Sequence, residues 1–135
     1  MIDTDIIEKY THIINDILEE KSITEDDWEF FYDHLEEMAA YRIDNKIELI
    51  DEELNYLAFE SPKEVDLCSY PYCYSYFNYK KIIELQNKYY AIEYRGGIGK
   101  HDEIGYDIEQ PYRVQRIERW ISISEWEAFD EVSTD

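Results

Sequence analysis

YKKIIELQNKYYAIEYRGG, residues 79–97, decides the fold class. Two runs rich in Tyr and Ile flank the polar triplet QNK, which reads as an antiparallel β-hairpin closed by a short turn. Downstream, RVQRIERWISIS (113–124) reads as another strand, with a bulge where the apolar face shifts between Val114 and Ile117. GGIGKHDEIGYDIEQP (96–111) lies between them as a loop or short hairpin, punctuated by Gly96, Gly97, Gly99 and Gly105. The C-terminal half is therefore expected to form an antiparallel sheet of three to five strands.

Upstream the apolar period changes. TDIIEKYTHIINDILEEK (4–21) places Ile6, Tyr10, Ile13, Ile14, Ile17 and Leu18 at helical spacing, with Asp3 or Thr4 available as cap. TEDDWEFFYDHLEEMAAYR (24–42) opens on Thr24 and Asp27, a capping-box-like pair, and carries the stripe Trp28, Phe31, Leu35, Met38, Ala39. NKIELIDEELNYLAF (45–59) repeats the pattern through Ile47, Ile50, Leu54 and Leu57, and Asp44–Asn45 breaks or bends the chain between the two. Ser61–Pro62 ends the run. The expectation is an α+β fold: two or three N-terminal helices (1–60) packed on a C-terminal sheet (68–127), one domain of 135 residues with an acidic tail at 128–135. The expected core is Ile6, Ile13, Ile17, Trp28, Phe31, Leu35, Ile50, Leu54, Leu57, Ile83, Ile92, Ile117 and Ile121.

The net charge of −20 separates this chain from an ordinary small domain, and fourteen tyrosines separate it from a disordered acidic tail. The charge is uneven: residues 1–67 hold 21 acids and 5 bases, a balance of −16, whereas residues 68–135 hold 12 acids and 8 bases, a balance of −4. Such a field repels nucleic acid and anionic membranes and favours basic partners. No apolar run approaches the ~20 residues of a membrane span. The N-terminus carries acids where a signal peptide has its basic region, so a cytoplasmic protein with reduced Cys68 and Cys73 is expected.

At ~100° per residue the acids fall into stripes opposite the apolar ones. Asp5, Glu8, Asp16 and Glu19 line the outer face of the first helix. Asp26, Glu29, Asp33, Glu36 and Glu37 line the second; Asp44, Glu48, Asp51 and Glu52 line the third. A charged outer face is ordinary for a surface helix. The single sign is not, because like charges at i,i+4 destabilise a helix and few lysines relieve them. Residues 25–37 carry seven acids and no base. At ~1.5 Å per residue this is one charge per roughly 2.5–3 Å, against ~1.7 Å along duplex DNA.

CSYPYCYSYFNY (68–79) offers the other conspicuous feature. If extended, Tyr70, Tyr72, Tyr74 and Tyr76 share one face, and Pro71 suits an edge strand. A base-stacking platform needs a positive groove, which this chain lacks, so the tyrosines are read as packing or as a protein interface. Cys-x4-Cys without a second pair does not make a four-ligand zinc site, and the two thiols are expected in or near the core. RGGIGKHDE departs from a phosphate loop, with Tyr94 in place of the first glycine and His101 after the lysine. No H-E-x-x-H motif or EF-hand loop occurs. Neither an enzymatic role nor a cofactor or metal is expected. Arg113, Arg116 and Arg119 form the one basic cluster, and their default partners are the protein's own carboxylates.

In composition and architecture the chain resembles the small acidic anti-defence proteins of phages, of anti-CRISPR or anti-restriction type. The resemblance rests on no motif and carries over no residue. It implies a non-enzymatic inhibitor that occupies the basic surface of a host nucleic-acid enzyme, such as the CRISPR effector Cas9, in place of nucleic acid, without binding nucleic acid itself. The contact surface is expected at Asp26, Glu29, Asp33, Glu36, Glu37, Glu48, Asp51 and Glu52. An immunity protein or antitoxin that caps a basic nuclease toxin would show the same electrostatics.

Overall fold

A computed structural model of the protein describes residues 2–60, 63–73, 76–97, 107–117 and 126. Three helices precede a five-stranded antiparallel sheet, an α+β arrangement. Helix α1 spans Thr4–Leu18, α2 spans Glu25–Asp44, and α3 spans Asp51–Asn55 before widening into a π-helical turn at Tyr56–Glu60. The strands are β1 (Lys63–Cys73), β2 (Tyr76–Leu85), β3 (Lys88–Gly97), β4 (Asp107–Ile108) and β5 (Tyr112–Val114).

The helix starts follow the sequence rules. Asp3 accepts from the Asp5 amide at 2.9 Å, and Thr24 Oγ1 accepts from the Asp27 amide at 3.1 Å. The stops follow a rule that needs no glycine. Glu20 (φ 59°) and Lys46 (φ 58°) take the left-handed conformation just past α1 and α2. The next amides, Lys21 and Ile47, turn back to Asp16 O at 2.9 Å and Arg42 O at 2.8 Å, closing Schellman motifs. The hairpin forms as expected. Gln86 and Asn87 both have positive φ, 51° and 63°, which is the twist-matched two-residue turn, and Leu85 pairs with Lys88.

The third helix differs from its expectation. It begins at Asp51, six residues late, because Asn45 and Lys46 end α2 and residues 47–50 form neither helix nor strand, with Ile50 extended as the N-cap. Ile47 is consequently 42% exposed rather than part of an apolar stripe. The linker's backbone groups are claimed by side chains. Arg42 Nη2 donates to Glu48 O at 2.6 Å. Gln110 Nε2 donates to Leu49 O at 3.0 Å and its Oε1 accepts from Leu49 N at 2.8 Å, imitating one rung of a β-ladder.

The core lies between the helices and one face of the sheet. Tyr10 stacks on Phe31 with ring centroids 5.0 Å apart, surrounded by Ile13, Leu35, Met38, Leu57, Ile83, Leu85, Tyr90 and Ile92. Of the expected core, Ile13, Phe31, Leu35, Ile50, Leu54, Leu57, Ile83 and Ile92 are buried; Ile6, Ile17 and Trp28 pack at its margin. Ile117 is a correction: it is 63% exposed, because β5 ends at Val114 and the alternation stops there. Ile121 and the rest of the strand expected beyond Ile117 lie outside the described residues, as do residues 128–135.

The tyrosine row is also corrected. It divides between two strands rather than lying along one: Tyr70 and Tyr72 belong to β1 and Tyr76 to β2, with Cys73 paired to Tyr76 and an irregularity between Pro71 and Cys73; Tyr74 lies outside the described residues. Among the described residues β1 is an edge strand, the position that tolerates Pro71. Cys68 on β1 is an exposed free thiol, not a core residue.

Among the described residues three charged side chains are buried: Arg42, Glu53 and Lys81. Glu53 Oε2 accepts from the Tyr10 hydroxyl at 2.8 Å, and Oε1 accepts from the Ile50 amide at 3.0 Å, closing the start of α3. Arg42 Nε stands 3.4 Å from Oε2, an ion pair outside hydrogen-bond geometry. Lys81 Nζ donates to Ala58 O at 3.0 Å and reaches Leu57 O at 3.5 Å, supplying donors to carbonyls of the π-helical turn. Burial raises the Glu53 carboxyl above the ordinary carboxylate range, against the opposing pull of Arg42, the Ile50 amide and the Tyr10 hydroxyl.

Glu53→Ala leaves Arg42 buried without its counter-ion and is expected to cost about 3–5 kcal/mol in urea unfolding. Tyr10→Phe removes one hydrogen bond to a charged group and is expected to cost about 1.5–3 kcal/mol. Glu53 binds its proton more tightly folded than unfolded, so its contribution to stability falls as pH rises from about 4.3 through the raised value. The stability difference between wild type and Glu53→Gln, followed by urea unfolding across that window, is expected to shrink as pH rises; a flat difference contradicts the raised carboxyl.

Candidate functional site

Helix α2 is where acids collect and neutralising bases do not. Its twenty residues keep one phase from Glu25 to Asp44, so its surface resolves into rows four residues apart. One row is Glu25, Glu29, Asp33 and Glu37, four carboxylates at ~6 Å intervals of helix rise. The neighbouring row is Thr24, Trp28, Tyr32 and Glu36: a cap, two rings and a carboxylate. Asp26 borders the acidic row, and Asp26, Glu29, Asp33, Glu36 and Glu37 together span an arc of about 100°.

The expected contact residues meet different fates. Asp26, Glu29 and Asp33 are exposed, and no described basic side chain pairs with them. Glu36 is half-buried and accepts from the Tyr56 hydroxyl at 3.0 Å. Glu37 is half-buried against His34 Nδ1, one turn earlier. Glu48 is a correction: it is exposed on the linker between α2 and α3, not on a helical stripe. Asp51 and Glu52 occupy the first turn of α3, and Asp26 the first turn of α2, where a carboxylate also stabilises the helix dipole. Asp44 ends α2 rather than opening the third helix, and serves the fold. It accepts from Lys88 Nζ at 3.0 Å and the Tyr90 hydroxyl at 3.0 Å, with Arg113 Nη1 at 3.7 Å, tying α2 to β3 and β5. Burial and the Asp44 carboxylate together push the Tyr90 phenol upward.

Packing brings part of α3 onto the α2 face. Trp28 stacks with Tyr32 at 5.9 Å between centroids, and Tyr32 lies 6.0 Å from Tyr56. The Tyr32 phenol is pushed up by burial, then by the Glu60 and Glu52 carboxylates, and these two acids stand four residues after and before Tyr56 in the chain. The outcome is an acidic row flanked by an aromatic one that crosses from α2 to α3. Glu25, Trp28, Tyr32, Tyr56 and Glu60 were not among the expected contact residues. The four-residue spacings of Glu25 with Glu29 and of Trp28 with Tyr32 were available in the sequence; the approach of Tyr56 to Tyr32 was not, since it follows from packing.

The basic side chains of the sheet are engaged at home. Arg113 faces Asp44, and Arg116 stands over the Tyr89 ring at 5.8 Å; Arg119 lies outside the described residues. Among the described residues no group of three or more His, Cys, Asp or Glu side chains is placed to hold a metal ion, and no helix is long and apolar enough to cross a membrane. Comparison with models of protein families, with curated proteins and with solved structures finds no match to the chain.

The acidic row costs stability, since each like-charge i,i+4 pair is worth ~0.2–0.5 kcal/mol against the helix. Asp33→Lys turns its pairs with Glu29 and Glu37 into attractions. It is expected to stabilise the protein by about 1 kcal/mol and raise Tm by a few degrees. A fall in Tm would show that Asp33 supports the fold.

Proposed function

We propose that the protein is a non-enzymatic inhibitor whose α2 face docks on the basic, nucleic-acid-binding surface of another protein, in the manner of an anti-CRISPR or anti-restriction protein acting in the cytoplasm of a host cell. The observation that carries this reading is the row Glu25, Glu29, Asp33, Glu37: four carboxylates on a capped twenty-residue helix, the central two exposed and paired with no described base. One negative charge per ~6 Å in that row is about half the density of one DNA strand at ~3.4 Å per phosphate, and Asp26 and Glu36 beside it narrow the gap. Lysines and arginines that normally neutralise phosphates would meet carboxylates held at fixed spacing.

Electrostatic attraction would speed encounter over a Debye length of about 8 Å at physiological salt, while the close carboxylate pairs would fix register. The core supports this role mechanically. Phe31, Leu35, Met38 and Ala39 anchor the opposite side of α2, so the acidic face is rigid before the partner arrives. The partner is a CRISPR effector nuclease or another protein with a similar basic channel, and the chain itself does not bind nucleic acid.

The test is affinity capture from a bacterial host lysate with tagged protein. A nucleic-acid enzyme is expected to be retained at low salt, to elute well above about 0.15 M salt, and to be displaced by duplex DNA. Reversing Glu29, Asp33 and Glu36 together to Lys is expected to weaken the complex at least tenfold with the circular-dichroism spectrum preserved. Retention that ignores salt, DNA and the triple reversal would remove α2 as the interface.

A further inference from the structure

We propose that the aromatic row Trp28, Tyr32 and Tyr56, rimmed by Glu36, Glu52 and Glu60, is a seat for arginine side chains of the partner and discriminates against lysine. This rests on the docking role of the α2 face and names the chemistry that face selects.

Three observations carry it. First, the rings form a continuous surface row. Trp28 and Tyr32 stack at 5.9 Å with planes 22° apart, Tyr32 lies 6.0 Å from Tyr56, and Tyr32 remains 42% exposed. Second, carboxylates lie beside the rings: Glu36 accepts from the Tyr56 hydroxyl at 3.0 Å, and Glu52 and Glu60 stand four residues before and after Tyr56, both raising the Tyr32 phenol. Third, cations already stand over other rings of this protein. Lys9 lies 4.4 Å from the Phe30 centroid, Lys80 5.9 Å from Tyr112, and Arg116 5.8 Å from Tyr89. Among the described residues none stands over Trp28 or Tyr32. Trp28 and Tyr32 thus offer electron-rich ring faces, beside carboxylates, that no described cation occupies.

The geometry favours guanidinium over ammonium for a physical reason. A guanidinium is planar and weakly hydrated. It can lie flat on the Tyr32 ring while its N–H fork points outward in its own plane, toward rim carboxylates. An ammonium is a compact, strongly hydrated point charge; it gains from the carboxylates but gives up water to reach a ring face. The acidic row of Glu25, Glu29, Asp33 and Glu37 has no rings and attracts both cations alike. One helix therefore carries two functions side by side: a general cation track and an arginine-selective row.

The experiment titrates the full chain into fluorescein-labelled octa-arginine and octa-lysine at about 0.15 M salt, read by fluorescence anisotropy. Wild type is expected to prefer octa-arginine by about threefold or more. Tyr32→Leu keeps apolar bulk but removes the ring face and is expected to bring the preference close to one, mainly by weakening octa-arginine. Tyr32→Phe keeps the ring and is expected to keep the preference. Reversing Glu29 and Asp33 to Lys is expected to weaken both peptides together. In wild type, octa-arginine is expected to shift the Trp28 indole N–H resonance more than octa-lysine does, a readout that needs no variant to fold. A preference untouched by Tyr32→Leu, or equal movement of the indole resonance, overturns the arginine seat; if charge reversal still weakens both peptides, the acidic face stands without it. Affinity for both peptides that charge reversal leaves unchanged overturns the acidic face as well.

Discussion

Burying one carboxylate is the constraint on which the helical half depends. Glu53 is fully enclosed, and a carboxylate in that position is tolerated only when its lone pairs and its charge are answered. The answers come from three directions: the Tyr10 hydroxyl on α1, the Arg42 guanidinium on α2, and the Ile50 amide at the start of α3. The two hydrogen bonds and the ion pair all act at close range, so satisfying Glu53 ties the three helices together. Arg42 extends the constraint by holding Glu48 O, which stops the linker from continuing as helix. Lys81 plays the matching part between the π-helical turn and β2.

That placement separates two kinds of acid. Glu53, Asp44 and Glu93 work inside the fold: Glu53 joins helices, Asp44 joins α2 to β3 and β5, and Glu93 accepts from the Tyr112 hydroxyl at 2.6 Å. Asp26, Glu29 and Asp33 do nothing comparable, and the Glu29–Asp33 repulsion weakens the helix that carries them. A surface selected for stability alone would alternate signs along such a face, because opposite charges at the same spacing stabilise by a similar amount. A uniform row that costs stability fits the recognition role proposed above.

The sheet contributes differently. Its inner face supplies Ile83, Leu85, Tyr90 and Ile92 to the core, and its cations are spent locally on Asp44, on Tyr89 and on Tyr112. Spending them there leaves the helical face with a single sign. The long edge strand β1 carries several features that discourage pairing with another chain: Lys63 at its start, Pro71 near its end, and register irregularities between Glu64 and Asp66 and between Pro71 and Cys73.

Local chemistry was enough to determine the starts of α1 and α2, the hairpin, the α+β class and the acidic stripe of α2. Each depends on residues within a turn or two of one another: Thr24 with Asp27, QNK between two Tyr/Ile runs, and Glu29 with Asp33. The end of α2 was partly hidden, because Lys46 adopts a left-handed conformation that glycine usually signals and Lys does not. Strand β1 began at Lys63 rather than in the tyrosine-rich stretch, and Ile117 left the sheet, because strand limits depend on whether a partner strand is present and not on propensity. Nothing local marked Glu53 as buried among so many acids, or Lys81 as inward-facing. Nor did anything local bring Tyr56, Glu52 and Glu60 to Tyr32. Those are contacts between elements distant in sequence, and they depend on how the helices pack around Glu53 and Arg42 and how Lys81 meets the π-helical turn.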